Sequence, residues 1–325
     1  MDFQNILTLS LAQALGPTAI IYALAAIGLN VHFGYTGLLN FGQAGFMMVA
    51  GYAMVSLSTV WGLSLWLGVL VGLALTVVLA LLLGVPTLRL RADYLAIVTI
   101  AAAEIIRQSI GAATLSDTFG GQDGLTGFID PFRGLNPYTG RIGIPGLVTW
   151  SAFDFWVMTV GWTLVVLCCL IVWLLMRSPW GRVLKSIRED EDAVRSLGKN
   201  VYSYKMQALM LGGLFGALAG FMTALRSAAI GPSFFAYTAL LIGGAARVLG
   251  PVVGAIIFWF LINFVGQVFS SATGGTDPLI PSWIMDSNQA SVMRFIIVGL
   301  GLMLLMIFRP QGIFGDRREL AIDAR

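Results

Sequence analysis

The chain has 325 residues, of which 58% are hydrophobic and only 11% are charged. Soluble domains carry about 25% charged residues, so a water-exposed fold could not hide this much apolar surface in one core. The formal net charge is only +3, and no Lys or Arg precedes Arg89, which argues against a nucleic-acid-binding surface. The composition therefore predicts an integral membrane protein whose outward side chains contact membrane lipid.

Eight apolar segments approach or exceed the roughly 20 residues that a membrane-spanning helix needs. They lie at about 7–29, 37–60, 63–84, 94–110, 153–176, 206–225, 252–269 and 292–308. The N-terminus lacks the basic region of a cleaved signal peptide, so we expect the first segment to be retained as a helix. The adjacent cysteines Cys168 and Cys169 have no metal-binding spacing, and we interpret them as packing residues.

Basic residues cluster in the 86–93 loop, in residues 177–205 and in the tail after 308, which predicts that these parts face the cytoplasm. The polar 111–151 loop has two basic and three acidic residues and is expected outside. Because residues 177–205 and the tail are both expected in the cytoplasm, the number of crossings between them must be even. The short apolar stretch 234–246 must therefore cross as well, either as a broken helix or as a segment damaged by a deletion. The predicted fold is an all-α, polytopic transmembrane helix bundle of about nine (eight to ten) crossings.

Residues 177–205 form the most charged part of the chain. Apolar residues recur there near helical spacing, at Val183, Leu184, Ile187, Val194 and Leu197. This pattern predicts one or two short amphipathic helices, ended by a left-handed turn at Gly198. The segment is either a solvated loop or a docking element for a cytoplasmic partner.

The same segment carries a resemblance to a known family. Asp192-Ala193-Val194 with Gly198 resembles the Glu-Ala-Ala-x-x-x-Gly signature of ABC-importer permeases, with two conservative departures. The longer string from Ile187 to Gly198 resembles the branched-chain amino-acid permeases of the LivM type. Four further stretches are similar to that family in the same order, at 28–45, 88–99, 250–255 and 309–315.

The resemblance implies a single transmembrane permease domain over residues 1–325, placed in a bacterial inner membrane. It also implies a cytoplasmic coupling helix that contacts an ATPase, made of Glu191, Asp192, Ala193, Val194 and Gly198. The implied partners are two cytoplasmic ATP-binding subunits, a second related permease and an extracytoplasmic solute-binding protein. The implied solutes are leucine, isoleucine and valine.

The sequence has no Gly-x-x-x-x-Gly-Lys-Ser/Thr phosphate loop, so we expect ATP hydrolysis on separate subunits and neither enzymatic activity nor a bound cofactor or metal in this chain. Glu104 and Arg107, at i and i+3, are either a structural pair or part of the solute pathway. His32 is expected to be an interfacial residue rather than a catalyst. The other pathway candidates, which are alternatively packing residues, are Asn30, Asn40, Gln43, Asn263 and Gln267.

Three other functions stay open at this point. Urea and other small-solute permeases resemble the same family. An ion-driven secondary transporter would need coupling-ion sites in the membrane, where Glu104 is the one acidic residue well inside a predicted span. A passive channel is the third alternative.

Overall fold

A computed structural model of the chain describes residues 3–88, 92–144, 148–232, 248–273 and 287–308. The architecture of these residues is almost entirely helical. The longer helices are α1 (Phe3–Leu15), α2 (Pro17–Leu29), α3 (Gln43–Thr59), α4 (Leu65–Thr87), α5 (Ala92–Ile110), α8 (Ala152–Arg177), α9 (Pro179–Glu189), α11 (Val201–Ser227), α12 (Gly250–Thr273) and α13 (Ser287–Phe308).

Shorter elements connect these helices. A π-helix (Asn30–Tyr35) continues α2 without a break, and a 3₁₀ turn (Ala113–Leu115) follows α5. The remaining elements are α6 (Ser116–Phe119), α7 (Asp130–Arg133), α10 (Glu191–Ser196), β1 (Leu125–Thr126), β2 (Arg141–Ile144), β3 (Val148–Ser151) and β4 (Ala229–Ile230).

Five helices in the described part of the chain are long and apolar enough to cross a membrane, and a bent pair, Tyr94–Ile110 with Ala113–Phe119, raises the number to six. The prediction of a polytopic helix bundle is therefore confirmed at this level. The stretch 234–246, the arginines Arg89 and Arg91 and the tail after 308 lie outside the described residues, so the full count of about nine crossings stays a prediction.

Two predicted segments have different boundaries in the structure. The segment expected at 7–29 is two helices, α1 and α2, separated at Gly16, where Pro17 occupies the first position of α2. Proline suits that position because its missing N–H has no intrahelical partner there. The segment expected at 37–60 becomes helical only at Gln43, because residues 37–42 run in a non-helical connection after the π-helix.

Helix α11 is the centre of the bundle and packs against α2, α3, α4 and α8. Its glycines allow neighbouring backbones and polar side chains to approach closely. A Cβ atom at Gly213 would lie 3.0 Å from the Phe46 ring, and one at Gly216 would lie 2.6 Å from the Gln43 amide nitrogen. The outer faces of the peripheral helices are apolar instead, as Leu70 (66% exposed) in α4 and Val166 (64% exposed) in α8 illustrate.

The described residues of the polar 111–151 region pack onto one end of the bundle. Strand β1 pairs antiparallel with β4 at the end of α11, and β2 forms an antiparallel pair with β3. Phe128 and Phe132 are buried, and the Trp156 indole nitrogen in α8 donates to the Phe132 carbonyl at 3.2 Å. These contacts fix the region against the helix ends, so it is a folded cap over that end of the bundle.

Candidate functional site

Helices α9 and α10 account for most of the charged 177–205 segment. Helix α9 begins with Pro179 at its first position after Ser178, and it buries Leu184 and Ile187 on its inner face. The polar side chains of α9 stay exposed while this inner face is buried, which confirms the prediction of short amphipathic helices.

Helix α10 is capped at its start and attached to the membrane bundle. The Asp190 carboxylate accepts a hydrogen bond from the Ala193 backbone N–H at 2.9 Å, which caps the first turn. Glu191 forms an ion pair with Arg195 at 2.6 Å and a second one with Lys205 of α11. Because Val194 is also buried, one apolar contact and one ion pair attach this short helix to the membrane bundle.

The residues after α10 form a sharp exposed turn. Gly198 has a φ of +75°, as predicted, and a Cβ atom there would meet nothing within 4 Å. Leu197 shares the near-helical spacing of the apolar residues in this segment, but its side chain is 79% exposed. Helix α10 ends at Ser196, so Leu197 no longer follows the helical spacing that buries Val194. This part of the chain thus presents an exposed leucine as well as Asp192, whose side chain is 91% exposed.

A buried polar cluster holds the break between α2 and α3 against α11. The imidazole Nε2 of His32 lies 3.2 Å from the carbonyl oxygen of Leu209, and its Nδ1 lies 3.0 Å from the Asn40 amide nitrogen. A carbonyl oxygen only accepts, so Nε2 carries the proton and Nδ1 accepts from Asn40. The Gln43 amide nitrogen donates to the carbonyl of Gly212 at 3.0 Å.

The position of this cluster corrects the expectation for His32 and shows where three of the pathway candidates lie. His32 is fully buried within the bundle instead of lying exposed at the membrane interface. Asn30, Asn40 and Gln43 are each at most 4% exposed, so within this chain they occupy packed positions. The sequence carried no signal for the His32 and Gln43 contacts, since their partners are backbone carbonyls of α11 about 170 residues away.

Glu104 and Arg107 of α5 pair as predicted. The guanidinium Nε donates to one carboxylate oxygen at 2.9 Å and Nη2 to the other at 2.5 Å, and the Gln108 amide donates to the same carboxylate at 2.9 Å. The two charged side chains are 53% and 26% exposed, respectively. Helix α5 packs mainly on α3 and α4, so this polar group lies on the outer side of the single chain.

Asn263 and Gln267 of α12 are half-buried, and the Asn263 amide donates to the Trp259 carbonyl one turn earlier at 2.8 Å. Helix α12 packs on α1, α2 and α13, whereas α5 packs on α3 and α4. The structure therefore places these two residues on a different packing surface from Glu104 and Arg107.

We predict that Glu104 and Arg107 are energetically coupled. Glu104→Ala should lower expression and thermal stability because it leaves a guanidinium without its bidentate partner on a membrane helix. Glu104→Ala with Arg107→Ala should be milder than Glu104→Ala alone. A double-mutant cycle of melting temperatures in detergent measures this coupling, and strictly additive losses would contradict it.

Most of the chain is similar to known permease proteins. Residues 14–307 match the family described as "Branched-chain amino acid transport system / permease component". The chain is 32% identical to the high-affinity branched-chain amino acid transport system permease protein LivM of Escherichia coli, over 90% of this chain and 68% of the relative. It is 23% identical to a probable LivM permease of Methanocaldococcus jannaschii, over 91% of each chain. It is also 26% identical to the guanosine ABC transporter permease protein NupQ of Bacillus subtilis, over 82% of this chain and 86% of the relative.

The relatives are membrane permease components of transporters and not enzymes, and this chain has several apolar helices of spanning length. The chain is thus a multi-pass inner-membrane protein that belongs to the branched-chain amino acid transport system permease family.

Proposed function

We propose that the chain is the membrane subunit of an ATP-driven importer for branched-chain amino acids, with its translocation pathway formed by the helix bundle. The family match over residues 14–307 carries the proposal. Two relatives, at 32% and 30% identity, are named as branched-chain amino acid permeases, which supports leucine, isoleucine and valine as solutes. Such a solute is a zwitterion with an apolar side chain, so its pathway needs few charges.

The proposed topology has about nine crossings with the N-terminus outside. Residues 177–205 lie in the cytoplasm and residues 111–151 outside, as the basic clusters support. The folded cap over one end of the bundle then faces the side from which a solute-binding protein delivers its cargo. Helices α9 and α10 lie at the opposite end.

A cysteine introduced at Ser186 tests this orientation. Ser186 is exposed on α9, so Ser186→Cys should react with thiol reagents in inverted vesicles. It should resist an impermeant reagent added outside whole cells. Since Cys168 is buried and Cys169 partly buried, the unsubstituted chain is the matched control for background labelling. Ready labelling from outside would overturn the topology.

The proposed partners are two cytoplasmic ATP-binding subunits, a second related permease and a solute-binding protein. In this proposal α10 docks on an ATP-binding subunit through Glu191, Asp192, Ala193, Val194 and Gly198. The exposed Leu197, with Arg195 and Lys199 two residues to either side, supports a docking role because protein interfaces bury an apolar centre within a polar rim. The ties of α10 to α11 through Glu191 and Val194 support transmission of force into the bundle.

Gly198→Val should impair docking and reduce ATP-dependent uptake about tenfold. Valine does not tolerate a φ of +75°, so the turn that presents α10 and Leu197 should change shape. Gly198→Asn is the matched control, because asparagine accepts the left-handed conformation and the site has room for a side chain. Co-purification of the ATP-binding subunits and solute uptake are the measurements. Normal values for a well-expressed Gly198→Val variant would show that this turn is only a connector.

Among the pathway candidates we favour Glu104 and Arg107. A charged pair on a membrane helix is costly against lipid and normally faces protein or a water-filled cavity. The pair lies on the outer side of this chain, so a second permease facing α5 would enclose it. Asn30, Asn40 and Gln43 are buried within the chain, where hydrogen bonding inside the bundle accounts for the placement of Asn40 and Gln43. They would reach a solute only if the bundle opened between α2, α3 and α11.

The relatives also support a different small solute, because some of them are named as guanosine, nucleoside or autoinducer permeases. Reconstitution of the chain with ATP-binding subunits, a second permease and a binding protein separates these alternatives. Labelled leucine should accumulate in proteoliposomes only with ATP, and guanosine or urea should not. ATP-dependent uptake of guanosine or urea alone would reassign the solute. Uptake driven by an ion gradient without the ATP-binding subunits would overturn the importer proposal.

A further inference from the structure

The cytoplasm-proximal end of the α2–π helix has carbonyl groups that need partners. The last carbonyls of any helix have no intrahelical donor, and inside a membrane protein each must be satisfied by protein. The Thr36 hydroxyl donates to the Val31 carbonyl at 2.8 Å, and the Leu38 N–H donates to the His32 carbonyl at 2.9 Å. Both donors are local, within a few residues of the helix end.

The carbonyl of Gly34 accepts a hydrogen bond from a residue that is distant in the sequence. Arg188 of α9, 154 residues away, donates to it from Nη1 at 2.6 Å. A cation at a helix C-terminus is also favoured by the helix dipole. Lys185, one turn earlier on α9, lies 6.0 Å from the centre of the Tyr35 ring. Helix α9 thus contacts the π-helix through two basic side chains on one face.

The non-helical connection beyond the π-helix is shaped around the same arginine. Gly37 has a φ of +69°, and a Cβ atom there would lie 3.4 Å from the Arg188 Cγ. Farther along, Asn40 binds the His32 ring, which itself binds the backbone of α11. A continuous set of contacts therefore runs from α9 through Gly34 to the buried centre of the bundle.

A cavity beside these contacts leaves space for movement. It has a volume of about 260 Å³, and its lining includes Leu38, Leu88, Ile187 and Arg188. Glu191 and Lys205, the ion pair that attaches α10 to α11, lie on its wall as well. π-helical turns occur preferentially at functional sites, and the one here is the element that Arg188 holds.

We propose that Arg188 is a positioning residue that transmits movement of α9 and α10 to the π-helix, and so couples ATP-driven motion to opening of the bundle. The proposal rests on the importer function proposed above. Arg188 would act through the Gly34 carbonyl and would contact neither the solute nor the ATP-binding subunit. Its loss should therefore separate ATP hydrolysis from transport without releasing the ATP-binding subunits.

Arg188→Gln in the reconstituted complex is the test, with Arg182→Gln as its control. Arg182 is exposed on the same helix and its substitution removes the same charge. Arg188→Gln should retain the ATP-binding subunits and hydrolyse ATP, with solute uptake per ATP reduced about tenfold. Arg188→Lys should restore part of this ratio, because lysine keeps the charge and a donor without the guanidinium reach. Arg182→Gln should keep the ratio of the unsubstituted complex.

An unchanged ratio of uptake to hydrolysis in assembled Arg188→Gln and Arg188→Lys complexes would overturn the proposal. Failure of both variants to fold would count against it too, since the contact would then serve the fold and not the coupling. If the unsubstituted chain does not retain ATP-binding subunits, the importer proposal itself fails. The two results are distinguishable because the first requires an assembled, hydrolysing complex.

Discussion

The break between α2 and α3 depends on one constraint, which is that the membrane interior offers no water to unpaired backbone and amide groups. Residues 30–42 leave the α-helical conformation first as a π-helix and then as an irregular connection. Polar side chains in this break therefore need protein partners. The break is stable in this position because α11 presents carbonyl groups to His32 and Gln43.

The same constraint explains why α11 has glycine at the positions that face the break. A Cβ atom at Gly212 would collide with the His32 ring, and one at Gly216 would collide with the Gln43 amide. Because these glycines have no side chain, the His32 imidazole and the Gln43 amide can reach backbone carbonyls of α11. A glycine-rich face usually serves helix–helix packing alone, whereas here it also makes room for buried hydrogen bonds. Close packing and polar satisfaction are therefore two consequences of the same residues.

The sequence was a good guide wherever the determining pattern was local. The apolar segments, the amphipathic α9, the left-handed Gly198 and the Glu104–Arg107 pair all depend on residues within one or two helical turns. The break at Gly16 and the late start of α3 were missed because hydropathy does not change across them. The contacts of His32 and Arg188 were not visible in the sequence either, because each side chain binds a backbone carbonyl more than 150 residues away.

The candidate polar residues fall into two groups, one buried within the chain and one partly exposed. Asn40 and Gln43 bond to groups within this chain and are almost fully buried, so they stabilise the break that they belong to. In the described part of the chain, the side chains of Glu104, Arg107 and Gln108 bond to one another, and the Glu104–Arg107 pair is partly exposed on α5. A charged group that faced lipid would be energetically costly, so this group needs polar surroundings that the described helices do not provide. The single subunit thus has a buried polar centre at the α2–α11 contact and a partly exposed one on α5, where a second membrane subunit or a water-filled path would complete the surroundings.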